Sequence, residues 1–260
     1  MQDSTEESLK IVSYNILMHH PHGWGKNWDA KIEDFPWPAR LAKFKEEFEQ
    51  MRADVLCLQE VTTPMLHDLQ PWFQEQGFAF VSLMPKFLPQ WENDKGQSQE
   101  ASVHGMATFV RDEKADVLDY CCCYARDFLT EAEWQAEDAN NISEKMKHQA
   151  DGVLCAKLRL KSSSQEIVIG NAHATWWYTD EPDYPIAGKV VQIMAIARAF
   201  GEYATRHSVP VEQSILCGDF NSLSTPGMSS SSYHDTAGYE LIINGSLSVH
   251  HRESPQSHGW

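Results

Sequence analysis

A chain of 260 residues is long enough to bury a sizeable core in one large domain or two small ones. Hydrophobic residues at 42% and charged residues at 22% are ordinary for a globular protein, and no apolar run approaches the roughly 18–20 residues that span a bilayer. With 21 Lys and Arg against 37 Asp and Glu, the net charge of −16 excludes a broad basic face for gripping duplex nucleic acid, yet it leaves room for a local groove that takes a short single strand or a small phosphorylated molecule.

The chain opens on an acidic, polar stretch from Met1 to Glu7, which is neither a signal nor a transit peptide, so a cytoplasmic setting is expected, with the nucleus as the alternative. Residues 1–8 are expected to be disordered and residues 9–260 to form one domain, since no linker divides them. Short apolar segments rich in β-branched residues predict strands at Leu9–Leu17, Asp54–Val61, Phe78–Met84, Gly105–Arg111, Asp116–Cys122, Gly152–Leu160, Glu166–Thr175 and Gln213–Phe220. Between them, Pro38–Arg52 carries Leu41, Phe44, Phe48 and Met51 on one helical stripe, and Ile186–His207 does the same with Val190, Ile193, Met194, Ala197 and Phe200. Asp127–His148 reads as a helical excursion or loop, and Ser222–Thr236, with Pro226, Gly227 and four consecutive serines, reads as loop. Many strands with interspersed helices predict an α/β sandwich in layers. Cys57, Cys155 and Cys217 fall inside segments that read as buried strands. The consecutive Cys121, Cys122 and Cys123 alternate between faces, so ordinary reduced thiols are expected.

Four polar motifs sit where strands run out: Ser13-Tyr14-Asn15, Leu58-Gln59-Glu60-Val61, Asn171-Ala172-His173 and Gly218-Asp219-Phe220-Asn221-Ser222. Polar side chains projecting from the ends of an apolar sheet are how such scaffolds assemble a site. Each has a plainer reading when taken alone. A glutamate at a strand end is commonly a solvated edge charge, Asp-x-Asn is common in turns, and a lone histidine is commonly a satisfied polar residue.

Taken together and in this order, the four motifs resemble the endonuclease/exonuclease/phosphatase superfamily. The finer match is to its deadenylase-like branch, with the carbon-catabolite-repressor-type deadenylases, nocturnin and the Angel proteins. Branch-level likeness lies in Ala53–Val61, His104-Gly105-Met106-Ala107, Asn171-Ala172-His173 followed by Lys189 and Gln192, Tyr239-Glu240-Leu241 and Asn244-Gly245. The resemblance implies a four-layer α/β sandwich of two mixed sheets flanked by helices, and a Mg²⁺-dependent phosphodiesterase, with Mn²⁺ as the alternative ion. The implied activity is a 3′-5′ exoribonuclease or poly(A) deadenylase. A nucleotide or cyclic-RNA-end phosphatase of the same fold, or a catalytically dead RNA- or protein-binding module, is the alternative. Single-stranded RNA or a nucleotide is the implied substrate, no membrane is involved, and a protein partner is left open.

The resemblance also assigns roles. Glu60 offers Mg²⁺ a hard carboxylate oxygen, and Asp219 is a general base or a second metal carboxylate. Asn221, two residues on, points to the same side and donates its amide to the phosphorane oxygens. Asn15 orients Asp219 or a water at the metal, and His173 holds the scissile phosphate. Trp176, beside Trp177, stacks a base or packs at a strand end, and Lys86 meets substrate phosphate or lies on the surface, as does Lys189. Arg40 and Trp37 read as structural elements of the first helix, and His19, His20 and His22 as a solvated loop. The superfamily's closing Ser-Asp-His run has no match after Asn221: Asp235 precedes Thr236, His250-His251 lacks a preceding Asp, and His258 precedes Gly259. The expectation from sequence is therefore a domain, and a site, that are incomplete at the C-terminus.

Overall fold

The computed structural model describes residues 8–17, 37–86, 104–133, 135, 151–174, 187–222 and 237–244. Eight strands run as β1 (Ile11–Asn15), β2 (Val55–Thr62), β3 (Phe78–Lys86), β4 (His104–Arg111), β5 (Ala115–Tyr124), β6 (Gly152–Leu160), β7 (Glu166–His173) and β8 (Ser214–Asp219). Among the described residues, the helices that accompany them are α1 (Trp37–Met51), α2 (Thr63–Glu75), α3 (Ala187–Arg206) and α4 (Ala237–Asn244), with a further short helical stretch at 131–133.

The strands form two mixed four-stranded sheets, ordered β1-β2-β4-β3 and β5-β6-β7-β8. In the first, β1 and β2 are parallel and the other pairs antiparallel; in the second, β7 and β8 are parallel. Parallel neighbours need a crossover, and α1 lies between β1 and β2 in sequence as α3 lies between β7 and β8.

Alternation along each strand builds three apolar layers. Leu56 and Leu58 of β2 join Phe48 of α1 and Met65, Leu69 and Phe73 of α2 on the outer face of the first sheet. Val55 and Cys57 point the other way and meet Ala156, Leu158, Ile167 and Ile169 between the sheets. Beyond the second sheet, Cys155, Val168 and Ala172 pack against Ile193, Ile196, Phe200 and Tyr203 of α3. Covered on both faces, β2 and β7 are buried almost throughout, which is why they read as continuous apolar runs. The order helices, sheet, sheet, helix is the expected four-layer α/β sandwich.

Helix α2 was absent from the sequence reading. Thr62 caps it, its hydroxyl accepting from the Met65 N–H at 3.3 Å, and Met65, Leu69 and Phe73 bury one stripe, while Pro71 sits on the exposed side. Strand β8, expected to be buried, is half-exposed because it is the edge of its sheet, and Cys217 with it. The expected disordered start at 1–8 falls outside the described residues except for Ser8, as does Ser222–Thr236 except for Ser222. Of Asp127–His148, residues 127–133 and 135 are described and are largely helical, with a 3₁₀ turn at Ala125–Phe128 and helix at 131–133. None of the described helices is long and apolar enough to cross a membrane.

Candidate active site

The carboxyl ends of β1, β2, β7 and β8 bring four sequence motifs together. Parallel pairing sets Asn15 beside Gln59 in one sheet and His173 beside Asp219 in the other. Asn15 spans the gap between sheets: its Nδ2 donates to Glu60 Oε1 at 2.9 Å and to Asp219 Oδ2 at 2.7 Å. The second oxygen of Asp219, Oδ1, accepts from the Asn221 N–H at 2.8 Å. Asn221 Nδ2 donates to the Ala174 carbonyl at 2.8 Å and lies 3.3 Å from His173 Nε2, and that same Nε2 is 3.9 Å from Glu60 Oε1. Asn15, Glu60, His173, Asp219 and Asn221 therefore form one group.

Local backbone conformations make this convergence fit. The β2–β4 register slips between Leu58 and Val61, and within that bulge Glu60 adopts φ +60°. Such a left-handed residue is costly, and a bulge re-aims the side chain it carries. At β8, Gly218 has φ +152°, and a Cβ placed there would sit 2.1 Å from the Ala172 carbonyl oxygen. Only glycine lets β8 approach β7 so closely just before Asp219. Asn221, at φ +49°, closes an Asx-type turn on Asp219. The plain reading of Asp-x-Asn as a turn thus holds, and the turn leaves Asp219 and Asn221 beside Asn15 and His173.

Beneath the site, a buried polar network fastens one sheet to the other. Gln59 Nε2 donates to Asn171 Oδ1 at 2.8 Å, with Ser13 Oγ at 3.1 Å and the Cys57 carbonyl at 2.9 Å also in reach. Asn171 Nδ2 faces the carbonyls of Leu58 and Ala107 at 3.2 and 3.1 Å and Thr108 Oγ1 at 3.3 Å. Both residues sit inside recognised motifs, yet no role was read for them. The signal available was a polar residue in the middle of an apolar strand.

A second wall is histidine and amide. The ring of buried His104 lies 6.3 Å from that of His173, edge to face. Gln192 of α3 donates to Asp151 Oδ2 at 2.8 Å, immediately before Gly152, the register partner of His173. Lys189 corrects its surface reading: it is 7% exposed because it shares the sheet-facing stripe of α3 with Gln192, Ile193 and Ile196. Lys86 ends β3 opposite His104, at this end of the first sheet, and its side chain lies outside the described residues. Trp176, Trp177, His19, His20, His22, Asp235, His250, His251 and His258 also lie outside them.

Glu60, His173 and Asp219 each present one donor atom within 4.8 Å of the other two. Two carboxylates converging on one amide form a locally anionic pocket, a poor host for a phosphate unless a cation joins it. The two carboxylate oxygens suit a hard divalent ion such as Mg²⁺ or Mn²⁺, so Glu60 and Asp219 fit the expected metal, with the His173 imidazole beside them.

Comparison with known proteins agrees with this arrangement. Residues 12–241 match the Endonuclease/Exonuclease/phosphatase family. The CCR4-Not complex 3'-5'-exoribonuclease subunit Ccr4 of Debaryomyces hansenii is 20% identical, across 95% of this chain and 28% of its own length. Human 2',5'-phosphodiesterase 12 is 26% identical, across 96% of this chain and 38% of its own. The chain thus spans less than half the length of these curated relatives. Among solved structures, the human Nocturnin catalytic domain superposes with a TM-score of 0.60 at 18% identity, over 92% of this chain and 69% of that one. ANGEL2, a 2',3'-cyclic phosphatase, superposes with a TM-score of 0.58 at 18% identity, over 92% and 57%. These relatives are those of the deadenylase-like branch, and the family generally depends on divalent metal. With its strand-end motifs gathered at one place and most of its length matched, the chain belongs to the endonuclease/exonuclease/phosphatase family of phosphoesterases and nucleases.

Proposed function

We propose that this chain carries the metal and phosphate site of a Mg²⁺-dependent phosphodiesterase that removes nucleotides from the 3′ end of single-stranded RNA, with poly(A) as the favoured substrate. The observation that carries the reading is the Asn15 amide bridging Glu60 and Asp219 across the two sheets. That bridge serves little purpose in packing, since all three groups are only partly buried, but it fixes two carboxylates at the spacing a cation needs.

Glu60 and Asp219 hold the ion, which when bound supplies positive charge to screen the phosphate and polarise its oxygens. Asp219 is the acceptor for the proton lost by the attacking water, and Asn15 keeps its Oδ2 in place. Asn221 Nδ2 and His173 Nε2, 3.3 Å apart, face a common point. A non-bridging phosphate oxygen entering there replaces their mutual contact and takes hydrogen bonds from both, stabilising the charge that grows on phosphorus. Trp176 is assigned to base stacking and Lys86 to a flanking phosphate. The acidic chain favours a short single strand over a duplex.

The test is hydrolysis of 3′-labelled oligo(A) with and without Mg²⁺, with Glu60→Ala and Asn221→Ala as controls. The reading expects metal-dependent shortening by the parent chain, and a loss of at least about a hundredfold in either variant. Equal background from all three proteins refutes it. Parallel reactions on a 2′,5′-linked oligoadenylate and on a 2′,3′-cyclic phosphate end, the chemistries named for two relatives, fix the substrate within the class.

A further inference from the structure

Arg40 lies on the first turns of α1, within electrostatic reach of Glu60, and it is tied to the backbone that carries Asn15. Its Nη2 donates to the carbonyls of both Ile16 and Leu17, the two residues that follow Asn15. Leu17 holds φ +54°, a left-handed conformation that is costly for a non-glycine residue and persists only where its surroundings impose it. The same Leu17 donates its N–H to Asn15 Oδ1 at 2.9 Å. That bond turns the amide so that Nδ2 faces Glu60 and Asp219. One end of the Asn15 side chain is thus fixed by a strained turn, and the turn is fixed by Arg40.

Arg40 is itself held. Its guanidinium carbon lies 5.7 Å from the Trp37 ring and 5.6 Å from the Phe44 ring, on one face of α1. Trp37 in turn donates Nε1–H to Asp68 Oδ2 of α2 at 2.8 Å. The chain of contacts runs from α2 through Trp37 and Arg40 to residues 16 and 17, and from there to the amide between the two carboxylates. We infer that Arg40 is a positioning residue for the active site: through Nη2 it clamps the turn at 15–17 and sets the Asn15 amide between Glu60 and Asp219. Lysine carries its ammonium on a flexible stem and lacks the rigid planar group that Trp37 and Phe44 hold in place here, so it does not reproduce the clamp.

The test reads the clamp and the site separately. By NMR, Arg40→Lys and Arg40→Gln should accelerate hydrogen exchange of the Leu17 N–H at least about tenfold while core amides of β2 such as Leu56 keep their protection. By calorimetry, Mn²⁺ affinity should weaken about tenfold in Arg40→Gln and in Asn15→Ala, as for other groups that orient metal ligands, with no further loss in the double variant. Unchanged Leu17 exchange in both Arg40 variants overturns the clamp, and multiplying losses in the double variant overturn its action through Asn15. The ion-binding arm rests on the proposed metal site and the exchange arm does not: a parent chain that binds no Mn²⁺ refutes that site, and with it the clamp's role there, while Leu17 exchange still decides the clamp itself.

Discussion

Replacing Asn171 by alanine tests whether the two sheets are locked together by the polar network under the site. Asn171 is fully buried on β7, and its side chain serves Gln59 of β2 and the carbonyls of Leu58 and Ala107 in the opposite sheet. Its two amide hydrogens face three acceptors, so truncation removes two donated bonds and one accepted bond. Gln59 Nε2 keeps Ser13 and Cys57 as acceptors and suffers least. Two buried carbonyls lose a partner at about 1–3 kcal/mol each, so Asn171→Ala should cost about 3–5 kcal/mol with the small cavity added. Urea unfolding followed by tryptophan fluorescence measures this, provided the slope stays that of the parent. Because the Gln59–Asn171 bond is counted in both single variants, Gln59→Leu combined with Asn171→Leu should cost less than the two singles together, by about 0.5–1.5 kcal/mol. A cost below about 1 kcal/mol for Asn171→Ala, or strict additivity of the leucine pair, refutes the reasoning.

Three further outcomes are expected. Gly218→Ala drives a Cβ to 2.1 Å from a backbone oxygen, which no side-chain rotation relieves, so a loss of at least about 3 kcal/mol is expected and an unchanged thermal midpoint contradicts it. Burial pushes the Glu133 carboxyl up, but the Arg198 guanidinium and the Thr130 N–H and hydroxyl more than reverse this and hold it below the usual carboxylate value. A depressed folded value means stability that is present above the ordinary pKa of ~4.5 and lost as pH falls through the lower one, so Glu133→Gln should flatten the acid limb of the thermal midpoint between about pH 5 and 3. Mg²⁺ at a hundred times its dissociation constant should raise the unfolding free energy by about 2.7 kcal/mol, and a chelator or Glu60→Ala should abolish that shift in a melting experiment.

Much of the secondary structure was legible because burial on both faces leaves a plain mark in sequence. Strand β6 begins at Gly152 and ends at Leu160 as expected, and α1 and α3 announce themselves by apolar stripes. Helix α2 was missed although its signals were present: a capping Thr62, Pro64 in the first turn, and Met65, Leu69 and Phe73 spaced by four. Pro71, inside the helix and lacking a backbone N–H, is a residue that sequence rules count against a helix, and here it sits on the exposed side. The site residues were legible as a set through their motifs. Their relations were not, since the bond from Asn15 to Asp219 joins residues 204 apart, and strand order decides whether they meet. Arg40 was the least legible of all, because its partners are main-chain carbonyls, which leave no trace in side-chain identity.

The placement of those residues follows from the way the chain repeats one device. Each sheet has a single parallel pair, β1 with β2 and β7 with β8, and a helix lies between the members of each pair in sequence. Parallel strands end on the same side, so each pair presents two adjacent carboxyl ends, Asn15 and Glu60 in one sheet, His173 and Asp219 in the other. Had either sheet been wholly antiparallel, adjacent strands would have ended at opposite sides and delivered one residue where two are needed. Stacking the two pairs face to face then sets the Asn15 amide within hydrogen-bonding reach of both carboxylates and the His173 imidazole 3.9 Å from Glu60. The distance across the stack is set by side chains between the sheets, and at the site by Gln59 and Asn171. The spacing of the two carboxylates in this chain is therefore a property of sheet packing. A substitution that leaves every site residue in place but shifts one sheet against the other by the width of a methyl group should weaken ion binding as surely as losing a ligand.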